Sequence, residues 1–263
     1  MQLTVLGKSP AWQDRGGACS GYLVREGDFT LLLECGSGVF AKLREVSDYG
    51  LVDAVLISHL HADHFLDLVP YSYALLYSPR SPQATGGDPS VPSQPSGPAL
   101  YAPPTALATF RRVVSSWRAE RLIENAFECR EYDPGATLQL GSLRARFREV
   151  PHFTQAFAIE LSSPAGRRFT FGADCAPNDA LVEFASETDL LVVEATLESP
   201  EPVGKRGHMT PREAGELARR AGARRLVLTH FSDEMDAAWI REEAVASFEG
   251  DVELAHEGAE FTV

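Results

Sequence analysis

The sequence is short of basic charge, of cysteine and of long apolar runs. Against 37 acidic residues stand only 24 lysines and arginines, a formal net charge of −13 over 263 residues. Broad grip on a nucleic-acid backbone draws on an excess of Lys and Arg, so this balance leans away from nucleic acid and toward a small substrate. The arginines that cluster (Arg111–Arg112, Arg144–Arg146–Arg148, Arg219–Arg220, Arg224–Arg225) read as solvated faces. No stretch approaches the roughly 20 apolar residues of a membrane-spanning helix, so no membrane partner is expected. The opening MQLTVLGKSP lacks a basic segment leading into an apolar run and reads as a first strand, not a cleaved signal. Four cysteines (Cys19, Cys35, Cys129, Cys175) are scattered without CxxC spacing, which fits reduced thiols in a cytoplasmic protein. With 44% hydrophobic residues the chain can bury a core that needs no covalent staple.

What is present is an alternation of strands and helices. Residues 22–24 and 29–34 are apolar-rich runs joined across Glu26-Gly27-Asp28, a hairpin signal. Val39, Phe40, Leu43 and Val46 share one helical face, and residues 52–58 (VDAVLIS) form a buried-strand run that ends at His59. Further buried strands are expected at 169–171, 190–193 and 226–229. Thr210-Pro211-Arg212-Glu213 is a capping box with proline at the first helical position, and Gly222 is the stop. A helix over 236–248 and a closing pair of strands within 252–263 complete the pattern. Residues 78–104, crowded with Pro, Ser and Gly, interrupt it; they read either as a surface loop or as a lid.

Three of only seven histidines fall within six residues, His59-Leu60-His61-Ala62-Asp63-His64. One histidine is most often a satisfied core or surface residue; three with an aspartate, just after a buried strand, are different. In an extended segment i and i+2 point the same way, so His59 and His61 can share one metal. The turn into the next helix then swings Asp63 and His64 toward a second. Imidazole with carboxylate suits zinc, and also manganese or iron. Polar ligand types end four later runs: His152, Asp174 (with Gly172 allowing close backbone approach), Glu194 with His208 shortly after, and His230. Strand ends are where layered α/β proteins build sites.

In order, HLHADH, PH, FGAD, VEAT, HMT and LTHFSD resemble the metallo-β-lactamase superfamily, the last three most of all its RNase Z-like branch. The resemblance covers nearly the whole chain. It implies an α/β (α+β) fold, a four-layer αββα sandwich forming a single domain over 1–263, with two divalent metal ions, first of all zinc, at one edge. Carried over by position, His59, His61 and His152 hold the first metal, Asp63, His64 and His230 the second, and Asp174 bridges them. FGADC departs from the serine-glycine-aspartate-threonine run usual in the branch, and Cys175 reads as a packed thiol.

The resemblance further implies hydrolysis of a phosphodiester by a metal-bridging hydroxide. Asp63 would orient it and accept its proton. His208, supported by Glu194, would help protonate the leaving alkoxide. Glu194 could equally be a salt-bridged strand end. Lys205 and Arg206 either hold a substrate phosphate or are solvated. RNase Z inserts a basic, tRNA-gripping arm between the third histidine motif and the bridging aspartate. Residues 153–173 leave room here for two strands and a turn. The expectation is a phosphodiesterase for small diesters such as cyclic nucleotides. An RNA-processing endonuclease and a lactone or carboxylic-ester hydrolase stand as alternatives. A homodimer is expected only because two-fold dimers are common.

Overall fold

Leu31, Leu32 and Leu33 are all fully buried, although a strand points alternate side chains to opposite faces. Such a strand needs cover on both sides. The computed structural model, which describes residues 1–79 and 97–263, provides it with two sheets back to back and helices outside each. The first sheet holds β1 (Gln2–Gly7), β2 (Gly21–Glu26), β3 (Phe29–Leu33), β4 (Ala54–Leu56), β5 (Ala99–Ala102), β6 (Glu128–Glu131) and β14 (Glu260–Thr262) in the order β14-β1-β2-β3-β4-β5-β6. The second holds β7 (Leu138–Leu140), β8 (Leu143–Val150), β9 (Ala156–Ser162), β10 (Arg168–Phe171), β11 (Leu190–Glu194), β12 (Arg225–Thr229) and β13 (Asp251–Leu254) in the order β13-β12-β11-β10-β9-β8-β7.

Side-chain alternation divides the interior into three clusters. Leu31 and Leu33 join Ile159, Phe171 and Val192 between the sheets. Leu32, Val55 and Leu100 meet Phe40 of α1 (Val39–Val46), Tyr71 of α3 (Leu68–Tyr77) and Phe110 of α4 (Ala106–Ser115) outside the first sheet. Between α1 and α3 the single turn α2 (Ala62–Phe65) carries Asp63 and His64, and α5 (Leu122–Ala126) completes this layer. Outside the second sheet, Leu191, Val193 and Leu228 pack on α6 (Asp179–Phe184), α7 (Pro211–Ala221) and α8 (Ala237–Phe248). This is the αββα arrangement that the sequence implied. The capping box of α7 forms as expected: Glu213 N–H donates to the Thr210 hydroxyl, Thr210 N–H donates to the Glu213 carboxylate, and Gly222 closes the helix at φ 65°.

Two expectations are corrected. The reading of 78–104 as lacking regular structure fails at its end, where β5 pairs with both β4 and β6, Leu100 lying opposite Val55 and Cys129. Burial of Leu100 and Ala102 against the helices, not local propensity, holds this four-residue strand in place. Residues 80–96, on which the lid reading mainly falls, lie outside the described residues. The two strands found within 251–262 are not a pair. β13 joins β12 in the second sheet, whereas β14 crosses back to β1 in the first.

The topology also gathers the site. β3 and β4 are parallel, as are β10, β11 and β12; β8 and β10 are each antiparallel to β9 and so share one direction. The segments leaving these carboxyl ends therefore emerge together. An isolated antiparallel bridge between His59 and Ala156 ties the two halves at that edge.

Candidate metal centre

His59 and His61 follow β4, Asp63 and His64 ride on α2, and His152, Asp174 and His230 follow β8, β10 and β12. Their donor atoms form two overlapping groups, each with all its atoms within 4.8 Å of one another. One is His59, His61, His152 and Asp174; the other is Asp63, His64, Asp174 and His230. Asp174 belongs to both. Its Oδ2 lies 3.2 Å from Nε2 of His64 and of His230, 3.8 Å from Nε2 of His59 and 4.0 Å from Nε2 of His152. A Cβ on Gly172 would stand 2.7 Å from the Val193 side chain, so the close passage of this strand end beside β11 requires glycine.

The imidazoles are aimed by partners on their outer nitrogens. His152 Nδ1–H donates to the Gly207 carbonyl at 2.7 Å, which fixes the tautomer because a carbonyl only accepts. The Thr196 hydroxyl donates to Glu194 Oε2 and can then accept from His230 Nδ1, 2.9 Å away. Glu34 Oε2 lies 2.5 Å from His64 Nδ1 and also accepts from the Ser58 hydroxyl, which is 3.0 Å from His59 Nδ1. Four Nε2 atoms are thereby turned inward, while His61 presents Nδ1, 3.0 Å from His152 Nε2. Orientation of ligating histidines by such outer hydrogen bonds is the usual construction of a metal site.

One atom shows that the cluster is more than a hydrogen-bond network. His59 Nε2 is buried with no hydrogen-bond partner among the described residues. An orphaned buried nitrogen costs about 1–3 kcal/mol, which a divalent cation would offset. Burial, followed by the neighbouring charge of His64, holds His59 well below the ordinary histidine range, and burial lowers His152 to about 4. Both are therefore neutral, the form that ligates metal. Burial disfavours the carboxylates of Asp63 and Asp174, yet the surrounding imidazoles outweigh it and hold both below the usual range. Backbone strain is present here too, at three of the seven non-glycine residues with positive φ among the described residues. Glu34, Ala173 and His230 adopt left-handed φ of 63°, 53° and 54°, each costing on the order of 1–3 kcal/mol for a non-glycine residue.

Beside the cluster stands a further pair, whose donor atoms group with His230. His208 Nδ1 is 3.0 Å from Glu194 Oε1, and its ring lies 5.6 Å from that of His230 and 5.0 Å from that of His152. Burial would lower the His208 pKa, but the hydrogen bond and charge of Glu194 prevail and raise it to about 9. Glu194 also accepts from the backbone N–H groups of Cys175 and Met209, so with Thr196 and His208 it is held by four partners.

Residues 30–231 match the profile of the Beta-lactamase superfamily domain. The chain belongs to the metallo-β-lactamase superfamily. Within it the likeness is to RNase Z-like members. The probable metallo-hydrolase YhfI of Bacillus subtilis is 28% identical over 258 residues, spanning 98% of each chain. The ribonuclease Z of Myxococcus xanthus is 29% identical across 100% of this chain and 97% of its own. The crystal structure of YhfI superposes with a TM-score of 0.85 at 26% identity, covering 99% of this chain and 98% of that one. The superfamily implies divalent-metal binding, and the His/Asp cluster provides the donors for it.

Every residue that the sequence nominated for the site is brought to this edge. Glu34 is the one that sequence reading missed. Its signal was the apolar strand LLLE ending on a carboxylate, the same form as LLVVE ending on Glu194. Of the two basic residues before His208, Arg206 is occupied by Glu201 and Glu213, while Lys205 is exposed. The Cys175 thiol is fully buried, and burial pushes its pKa well up, as fits a packed thiol.

Proposed function

We propose that the protein is a dinuclear metal-dependent phosphodiesterase acting on small diesters such as cyclic nucleotides. The first metal, most simply zinc, would be held by His59, His61 and His152, the second by Asp63, His64 and His230, with Asp174 between them. When bound, two such ions supply a Lewis acid and make a water-derived nucleophile available at neutral pH. The observation that carries the reading is the His208–Glu194 pair, held at 3.0 Å beside the two donor groups that share Asp174. An alkoxide is a poor leaving group and needs a proton. His208, with Nδ1 held by Glu194 and its pKa near 9, keeps a proton to give at neutral pH. Asp63, its carboxylate held at the cluster by His64 and His230, accepts the proton of the attacking water.

An RNase Z-like endonuclease is the second reading, favoured by the near full-length similarity to a ribonuclease Z. Against it, His152 and Asp174 are joined only by β9, a short turn and β10, so no arm is inserted there. The net charge is also acidic.

The test is metal-reconstituted enzyme against cyclic AMP, cyclic GMP, an aryl phosphodiester, precursor tRNA and a simple lactone. Turnover of the cyclic nucleotides is expected to lead, and tRNA cleavage above the rest would establish the second reading. His208→Ala should keep its metal content and lose about 10²–10⁴-fold in rate on the alkoxide-leaving substrates. It should lose far less on the aryl diester, whose phenolate departs unprotonated. Equal losses on both would remove the general-acid role.

A further inference from the structure

Phe153 follows His152 directly and is 52% exposed, the only phenylalanine among the described residues so open to solvent. An isolated exposed apolar residue is ordinary on a protein surface, so exposure by itself carries no meaning. Its position and its fixation do. The ring centroid lies 5.2 Å from that of His152 and 5.7 Å, at a steep angle, from that of His208. On another side it rests on Gly207, where a Cβ would come within 2.4 Å of the ring. Gly207 is itself pinned: its carbonyl accepts from His152, and its N–H donates to Glu201. The phenyl group is thus seated on a held backbone, with about half its surface facing open solvent at the rim of the centre.

The chemistry of the rim indicates what would cover that surface. His208 is anchored through Nδ1, so Nε2 is the nitrogen left to serve the leaving oxygen. Whatever is attached to that oxygen lies on the His208 side, where Phe153 stands. A phenyl ring offers no hydrogen bond and no charge, only a flat apolar surface, which selects a planar aromatic group. We infer that Phe153 is the stacking platform for a nucleobase carried on the leaving-group side of the phosphodiester. The inference rests on the phosphodiesterase reading above and adds to it the residue that recognises the base, and so separates a nucleoside ester from a sugar or alkyl ester.

The experiment compares wild type, Phe153→Ala and Phe153→Trp, all metal-reconstituted, on 3′,5′-cyclic AMP and on a ribose cyclic phosphate lacking the base. Aromatic stacking on a base is sequence-tolerant and strong enough that its loss raises KM about 5- to 160-fold. Phe153→Ala should therefore raise KM for cyclic AMP in that range with little change in kcat, and the preference for the base-bearing ester should shrink by the same factor. Phe153→Trp should retain the preference. Equal losses on the two esters, or a fall in kcat alone, would make the ring a mere buttress of His208 and overturn the inference while leaving the phosphodiesterase reading intact. Wild-type enzyme that cleaves neither ester would overturn the reading and the inference together.

Discussion

Glu194 and Glu34 do the same work on opposite halves of the molecule. Each ends an apolar strand, each is buried, and each holds the outer nitrogen of a histidine whose other nitrogen faces the centre. The difference lies in what the histidine faces. His64 is turned onto Asp63 and Asp174, whereas His208 makes no ion pair with either. The hydrogen bond to Glu194, followed by its charge, raises the His208 pKa against burial. Activity that needs protonated His208 is present below that pKa and is lost as pH rises through it. Glu194→Gln keeps a hydrogen-bond acceptor but removes the charge, so the alkaline limb of kcat for cyclic AMP should move to lower pH. Its acid limb should stay in place. A pH–rate profile reads this directly, and an alkaline limb that does not move would show that Glu194 serves packing only.

At the scale of elements, legibility in the sequence followed how much of each element's stability is local. The α7 capping box and the β2–β3 hairpin rest on contacts within a few residues, and both were readable. The HLHADH turn was readable because ligand chemistry needs those residue types close together. β5 was not, because its four residues sit beside a Pro/Ser/Gly-rich stretch and are held by strands and helices distant in sequence. The partners of β13 and β14 were hidden for the same reason. Glu34 escaped because its partners, Ser58 and His64, lie 24 and 30 residues away. β5 gives this a measurable form. Leu100 is fully buried between the first sheet and its helices, so Leu100→Ala should cost about 2–5 kcal/mol in denaturant unfolding. A surface loop would lose almost nothing, and a cost below about 0.5 kcal/mol would restore the reading of this segment as loop.

For the whole molecule, the centre is where the two halves are joined. The first contributes His59, His61, Asp63 and His64, the second His152, Asp174 and His230, so bound metal would act as a clasp between sheets otherwise held by apolar packing. In the metal-free protein, burial opposes a charge on His64. The carboxylates of Asp174 and Asp63 nevertheless raise its pKa well above the ordinary value. That proton stabilises the metal-free fold below the ordinary histidine range, and its contribution is lost as pH rises through the raised value. A cation at the second position must displace it, so metal addition near pH 7 should release protons and binding should tighten with rising pH. Elemental analysis should give two ions per chain. Free metal at about 100 times its Kd should add roughly 2.7 kcal/mol of stability for each site filled. Asp174→Ala should empty both positions, because its carboxylate belongs to both donor groups, whereas His64→Ala should empty mainly the second. Saturation at one ion per chain, or an Asp174→Ala protein with its full complement, would leave the two halves joined at a mononuclear centre and remove the bridge.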